Sequence, residues 1–164
     1  MARTAGKLGS GVGGSRRRSA EARARYEVFA EILQAAEEMQ RRFTELFRRV
    51  DLSLAQYNVL RVLRGAGPAG LTCGQVGDRL MQHDPDVTRL LDRLARRALI
   101  ARVREAADRR IVRTTITPSG VAMLADLDAP VEALHEAQLG HLTTRQLEEL
   151  AAAVAAARHA PPVG

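Results

Sequence analysis

The hydrophobic period of this chain changes between Asp84 and Thr117, and that change constrains the fold more than any other feature. Val87, Leu90, Leu91 and Leu94 recur at three- and four-residue steps, so they form one stripe of a helix that faces a core. Asp84 reads as the N-cap of that helix and Pro85 as its first residue, where a missing N–H costs nothing. Asp86, Thr88, Arg89, Asp92 and Arg93 fall on or near the opposite side. Period two then takes over. Ile100, Arg102 and Arg104 alternate with Ala101 and Val103, and residues 111–116 are rich in β-branched side chains. Residues 105–110 between them are polar and turn-like. The order is helix, strand, charged turn, strand.

The preceding segment completes a motif. Residues 72–80 read as a short helix, with Thr72 and Gln75 spaced as a capping box and Val76 and Leu80 facing inward. A connection of a few residues, 81–83, suits a helix-turn-helix. A second helix of such a pair, with a polar Arg-bearing face, enters a DNA major groove, and a basic hairpin after it reaches the neighbouring minor groove. An amphipathic helix with a merely solvated charged face would show the same stripe. The order of the flanking elements is what points to nucleic acid.

The runs LSLAQYNVLRVL, LTCGQVGDRL, DPDVTRLLDRLARRALI and DRRIVRTTITPSG, in that order, resemble the winged-helix regulators of the multiple-antibiotic-resistance (MarR) type. The resemblance is close from Leu52 to Gly120 and holds by pattern alone in the flanks. Its most specific part is Asp108 and Arg110 followed by Thr117, Pro118 and Gly120. One departure is Ala98, where the family usually carries Gly at the end of the recognition helix. Alanine tolerates a left-handed C-cap poorly, so a different helix ending is expected here. The resemblance implies a homodimer and a small-molecule effector, often anionic or aromatic, bound between the dimer helices and the winged helix. In this chain Met39, Phe43, Phe47 and Tyr57 would line that junction, with Arg41 or Arg42 available to an anion. Plain core is the other reading of those apolar residues.

Charge is sorted along the chain rather than spread. The net charge is +6, with 25 basic residues. Residues 1–25 hold seven basic and one acidic side chain, and residues 51–120 hold twelve and seven. Residues 121–164 reverse the balance, with two basic and six acidic. A layout of this kind orients a protein on a polyanion and keeps its acidic end away from the phosphates. The Gly-, Ser- and Arg-rich residues 1–19 read as a disordered basic arm, which either adds phosphate contacts or serves solubility alone.

Long helical patterns flank the motif. Tyr26, Phe29, Leu33, Ala36, Gln40, Phe43, Phe47 and Val50 run by threes and fours within residues 20–50. Ser53 and Gln56 cap a helix from Leu54 to Arg64 that buries Tyr57, Leu60 and Leu63, and the loop after it is rich in Gly. Thr117 and Pro118 open a helix running to about Leu139. Thr143 and Gln146 cap another, to about His159, with Leu147, Leu150, Ala151 and Val154 inward. Two terminal helices with uncovered stripes suit an interchain bundle better than packing on their own winged helix.

Other chemistries are weakly signalled. The single cysteine, Cys73, excludes an intrachain disulfide; it stands in the first turn of its helix, either as a redox sensor or as an inert small residue. Peroxide-sensing members of the family carry their cysteine in the first helix, and this chain has none there. His83, His135, His141 and His159 form no i, i+4 pair, which argues against a metal site. No nucleophile–His–acid spacing, phosphate loop or carboxylate pair stands out, so no enzyme activity and no cofactor are expected. With no long apolar run and no signal-peptide pattern, a cytoplasmic protein with no membrane partner is expected.

The expected fold is mainly α with a small β-wing: a disordered arm over 1–19, an N-terminal dimerisation helix over 20–50, a winged helix-turn-helix over 51–117, C-terminal dimerisation helices over 118–159 and a tail over 160–164. The expected function is a sequence-specific, DNA-binding transcriptional regulator, a repressor released by a small molecule. A ligand-independent regulator or activator stands as the alternative within that class, and a winged-helix protein-interaction module as the alternative outside it. The DNA-facing residues are expected to be Asp86, Thr88, Arg89 and Arg93 on the recognition helix, with Asp108, Arg109 and Arg110 in the wing. The partner is expected to be double-stranded DNA carrying a pseudo-palindromic operator.

Overall fold

The computed structural model describes the backbone of residues 11–80, 86–105 and 108–159, and the side chains among them from residue 19 onward. The elements are α1 (Gly11–Arg48), α2 (Leu54–Ala66), a 3-10 turn (Gly67–Ala69), α3 (Cys73–Gly77), α4 (Val87–Arg96), β1 (Ile100–Arg104), β2 (Val112–Ile116), α5 (Pro118–Leu139) and α6 (Thr144–Arg158). The chain divides into two compact units, residues 1–41 and residues 42–164.

In the first unit, α1 begins at Gly11 rather than at the expected Ala20, so residues 11–19 are helical where a disordered arm was expected. Arg16, Arg17 and Arg18 are good helix formers, and the hydrogen-bond ladder, once nucleated downstream, propagates through them despite the glycines before them. Arg23 pairs with Glu27 at 2.8 Å and Arg25 with Glu21 at 3.7 Å, each worth a few tenths of a kcal/mol. Tyr26, Val28, Phe29, Ile32 and Leu33 are all exposed.

The second unit starts with the end of α1, which closes in a Schellman motif. Asp51 takes φ 54°, the Leu52 N–H donates to the Phe47 carbonyl at 3.0 Å, and Phe47 and Leu52 are both buried. The capping boxes then set the helix starts as expected. Ser53 and Gln56 exchange hydrogen bonds at the head of α2, as do Thr72 and Gln75 at α3 and Thr143 and Gln146 at α6. Thr117 caps α5, with Pro118 in its first turn. The helix expected over 72–80 is shorter, ending at Gly77, because Gly74 and Gly77 supply little helix propensity. Val76 is buried, while Leu80 is half-buried.

The core of this unit is aliphatic. Leu60, Leu63, Leu91, Leu94 and Leu124 are fully buried, each contributing roughly 1.5–3 kcal/mol. β1 and β2 pair antiparallel, Ile100 opposite Ile116 through Arg104 opposite Val112. An isolated bridge joins Leu71 to Thr114, adding a third segment to the base of the hairpin. Gly70 precedes it with φ +62°, and a Cβ there would stand 2.7 Å from the Thr114 carbonyl oxygen. Gly120 is required by close approach instead, since a Cβ would run into the Leu99 carbonyl oxygen. The glycine of the Thr-Pro-x-Gly motif thus lets α5 lie directly on the end of α4.

Leu150 and Val154 are 47% and 41% exposed and no residue of α6 is buried, so the stripe expected to face inward has no cover within this chain. Alanine-rich helices bury too little area per residue to dock firmly alone. Among the described residues, no helix is long and apolar enough to cross a membrane.

Candidate nucleic-acid interface

The helix-turn-helix is α3 followed by α4, and the hairpin β1–β2 forms the wing. Asp84 and Pro85, expected to open the recognition helix, lie outside the described residues. The N-cap is Asp86, so α4 starts at Val87. Asp86 accepts from the Arg89 backbone N–H at 3.1 Å and pairs with the Arg89 Nε at 3.2 Å. Asp86 thus holds the helix end and orients the Arg89 guanidinium.

Leu90, Leu91 and Leu94 anchor α4 in the core, which leaves Thr88, Arg89 and Arg93 exposed on its outer side. The Thr88 Oγ1 lies 3.6 Å from the Cys73 Sγ, so the outer face of α4 meets the first turn of α3 at these two side chains. Asp92 is held by Arg102 of β1 at 2.5 Å, which ties the helix to the wing.

The end of α4 was expected to adapt to Ala98. It does not. Ala98 takes φ 54°, and a full Schellman motif forms, with the Ala98 N–H on the Ala95 carbonyl at 2.9 Å and the Leu99 N–H on the Leu94 carbonyl at 3.1 Å. Leu94 and Leu99 are both buried, and the Thr117 Oγ1 donates to the Ala98 carbonyl at 2.7 Å. These bonds outweigh the roughly 1–2 kcal/mol that a left-handed alanine costs. Arg97, beside it, donates to the carbonyl of Val50 at 3.0 Å and to that of Asp51, capping the end of α1 with a residue from α4. Sequence reasoning gave Arg97 no role, because its partners lie some fifty positions upstream.

At the wing tip the Ile111 N–H donates to the Asp108 carbonyl at 2.9 Å, which closes the turn. Asp108 accepts from the Arg110 backbone N–H at 2.9 Å and from its Nε and Nη2, both at 3.1 Å. The Arg110 side chain is nonetheless 92% exposed. Its hydrogen bonds hold the Asp108 carboxyl below the usual carboxylate range. The clasp therefore fixes the direction of a guanidinium that still faces solvent. Arg109 is exposed beside it, and Arg113 lower in β2 pairs with Glu105.

The residues expected to line an effector junction lie on α1 and α2. Phe47 and Tyr57 are buried and stacked at 4.2 Å between centroids, and Phe43, half-buried, continues the stack at 5.9 Å to Phe47 and 5.1 Å to His135. This is packed core. Burial pushes the Tyr57 hydroxyl above its ordinary value, which keeps it neutral. Arg42 is exposed, and within the first unit Met39 is half-buried while Arg41 is exposed and paired with Glu38 at 2.8 Å. A concavity of about 490 Å³ lies elsewhere, lined by Arg61, Arg79 and Arg113 among others, and an adjoining one of about 270 Å³ shares Arg61 and Arg79. Among the described residues, no group of three or more His, Cys, Asp or Glu side chains could hold a metal ion.

Residues 50–111 match the model of the MarR family. The structure resembles a MarR transcription factor from Planctomyces limnophilus, 38% identical, with TM-score 0.64 over 79% of this chain and 94% of that one. A mutant MarR of E. coli in complex with operator DNA is 25% identical, with TM-score 0.69 over 79% of this chain and 91% of that one. Bordetella bronchiseptica BpsR, whose DNA binding is regulated by 6-hydroxynicotinic acid, is 24% identical, with TM-score 0.72 over 82% of this chain and 94% of that one. No curated protein matches the sequence.

Proposed function

This chain belongs to the MarR family of transcription regulators, and from that premise we propose that it works in the cytoplasm as a homodimeric repressor that a small molecule releases from a pseudo-palindromic operator. The observation that carries the reading is the wing tip. Arg110 is aimed outward by a carboxylate that holds it on three hydrogen bonds, beside a helix whose free face presents Thr88, Arg89 and Arg93. A narrow A·T-rich minor groove concentrates negative potential, and a guanidinium loses less hydration than an ammonium on entering it. Arg109 assists on the backbone. Arg89 reads a base edge or a flanking phosphate in the major groove.

Arg110→Ala is expected to weaken operator binding about tenfold or more, on the order of 1.4 kcal/mol, with dimerisation and melting temperature unchanged. Arg89→Ala should cost about 1–3 kcal/mol on the operator and less on random duplex. Full operator affinity in Arg110→Ala at about 0.15 M salt would end the winged-helix mechanism. A steep fall of affinity with salt separates DNA binding from a protein-interaction role, because only a polyanion releases many counterions. Half-sites should lie about 10 bp apart, since a two-fold dimer sets its recognition helices roughly one turn apart.

A further inference from the structure

Three arginines converge on one concave surface from three different elements. Arg61 comes from α2, Arg79 from the residues just after α3, and Arg113 from β2, and all three line the concavity of about 490 Å³. No carboxylate lines it or the adjoining concavity of about 270 Å³ among the described residues. Arg113 has a counter-ion in Glu105, whereas among the described residues neither Arg61 nor Arg79 makes a salt bridge, Arg61 feeling Asp128 only at longer range. Arg61 instead lies over the Tyr57 ring, 5.9 Å from its centroid, which leaves its outer edge open. A concave wall carrying one sign of charge focuses its field and raises the local concentration of counter-ions. Packing Arg61 and Arg79 beside the paired Arg113 is unfavourable until an anion arrives.

The remaining lining gives the ligand a shape. Val62 and Leu71 form an apolar floor, and the buried Asn58 amide edges the adjoining hollow. Gly70, on the rim, lies so close to Thr114 that a side chain there would collide with its backbone. The volume falls within the range of small-molecule sites. We propose that this hollow binds a small organic acid, its carboxylate held between Arg61 and Arg79 and its apolar body laid on Val62 and Leu71. A guanidinium fork matches a carboxylate with two parallel hydrogen bonds, and the apolar floor is wasted on an inorganic anion. The wall of the site includes the segment after α3 and the wing strand β2. An anion drawn between them acts on the two elements that flank α4, and this role as effector site rests on the regulator reading.

The test is calorimetric titration of the full chain, without DNA, using cyclohexanecarboxylate, its neutral amide and inorganic phosphate as probes. Saturable binding of the carboxylate is expected, with the amide weaker by about tenfold or more. Arg79→Ala and Arg61→Ala should each lose about tenfold for the carboxylate while melting as the wild type does. Carboxylate binding unchanged in both variants overturns the site. Phosphate binding as tightly as the carboxylate overturns the organic-acid assignment. Variants that lose affinity for random duplex with no acid present would mark these arginines as DNA-phosphate contacts, which also overturns it. In the wild type the carboxylate should shift operator affinity, and in Arg79→Ala it should not. A wild-type chain that binds the acid but no palindromic duplex would sink the regulator reading alone.

Discussion

At the scale of single residues, the wing tip joins a local hydrogen-bond pattern to a long-range purpose. Asp108 and Arg110 stand two apart, so a tight turn brings carboxylate and guanidinium together without any help from the core. Because the folded carboxyl titrates below its ordinary value, the clasp contributes above the unfolded pKa and is lost as pH falls through the folded one. Near neutral pH it is therefore intact. Carboxyl-carbon NMR should give Asp108 a midpoint below the usual aspartate value, and Arg110→Ala should return it upward. An unchanged midpoint in that variant would show that the pair does not orient the wing. The clasp spans only two residues, so the spacing of Asp108 and Arg110 in the sequence permits it by itself. The start of α4 was less legible: Asp86 is its N-cap, and nothing in DPDVTR says which aspartate is the cap.

At the scale of elements, helix ends rather than helix middles decide how the winged helix is assembled. Each of α1 and α4 ends in a Schellman motif with a non-glycine residue at positive φ, Asp51 and Ala98. Arg97 binds the two ends to one another through the carbonyls of Val50 and Asp51. Left-handed alanine is a stored cost. Ala98→Gly should stabilise the protein by about 0.5–1 kcal/mol, the relief of strain less the extra entropy of an unfolded glycine. Urea unfolding at matched protein concentration measures it, and a destabilised variant would mean that Ala98 packs rather than strains. Propensity alone would also have stopped α5 at Pro130, which removes the donor for the Asp126 carbonyl. The helix continues because Leu124, Leu127 and Val131 are buried on both sides of that point.

At the scale of the whole molecule, the two units carry different kinds of surface. The second holds an aliphatic core with arginine-bearing faces, and α2 is tied to α5 by a bidentate Arg64–Asp128 pair at 2.8 and 2.9 Å. That pair holds the Asp128 carboxyl below its ordinary value. Yet α6 in the same unit leaves Leu150 and Val154 open, and the first unit leaves Tyr26, Phe29 and Leu33 open. Exposed apolar stripes of this extent mark an association surface. The pair of substitutions Leu150→Glu and Val154→Glu is expected to weaken dimerisation by roughly two orders of magnitude, because a carboxylate cannot be buried unpaired. Sedimentation equilibrium reads it, and a variant that stays dimeric would remove α6 from the interface.

The sequence by itself determined most of what depends on near neighbours. The capping boxes at Ser53, Thr72 and Thr143, the change of period from α4 into the wing, the Asp108–Arg110 clasp and the family's motif order are all written within a few residues of one another. Their energetics are local, so pattern and propensity suffice to read them. Only the tertiary structure decided which side chains meet across the chain. It stacked Phe43, Phe47 and Tyr57 on one another, forced Ala98 into a glycine's conformation, and brought Arg61, Arg79 and Arg113 to one hollow. Those outcomes follow from how α2, α3 and the hairpin close on a shared core, and no spacing along the chain encodes that closure.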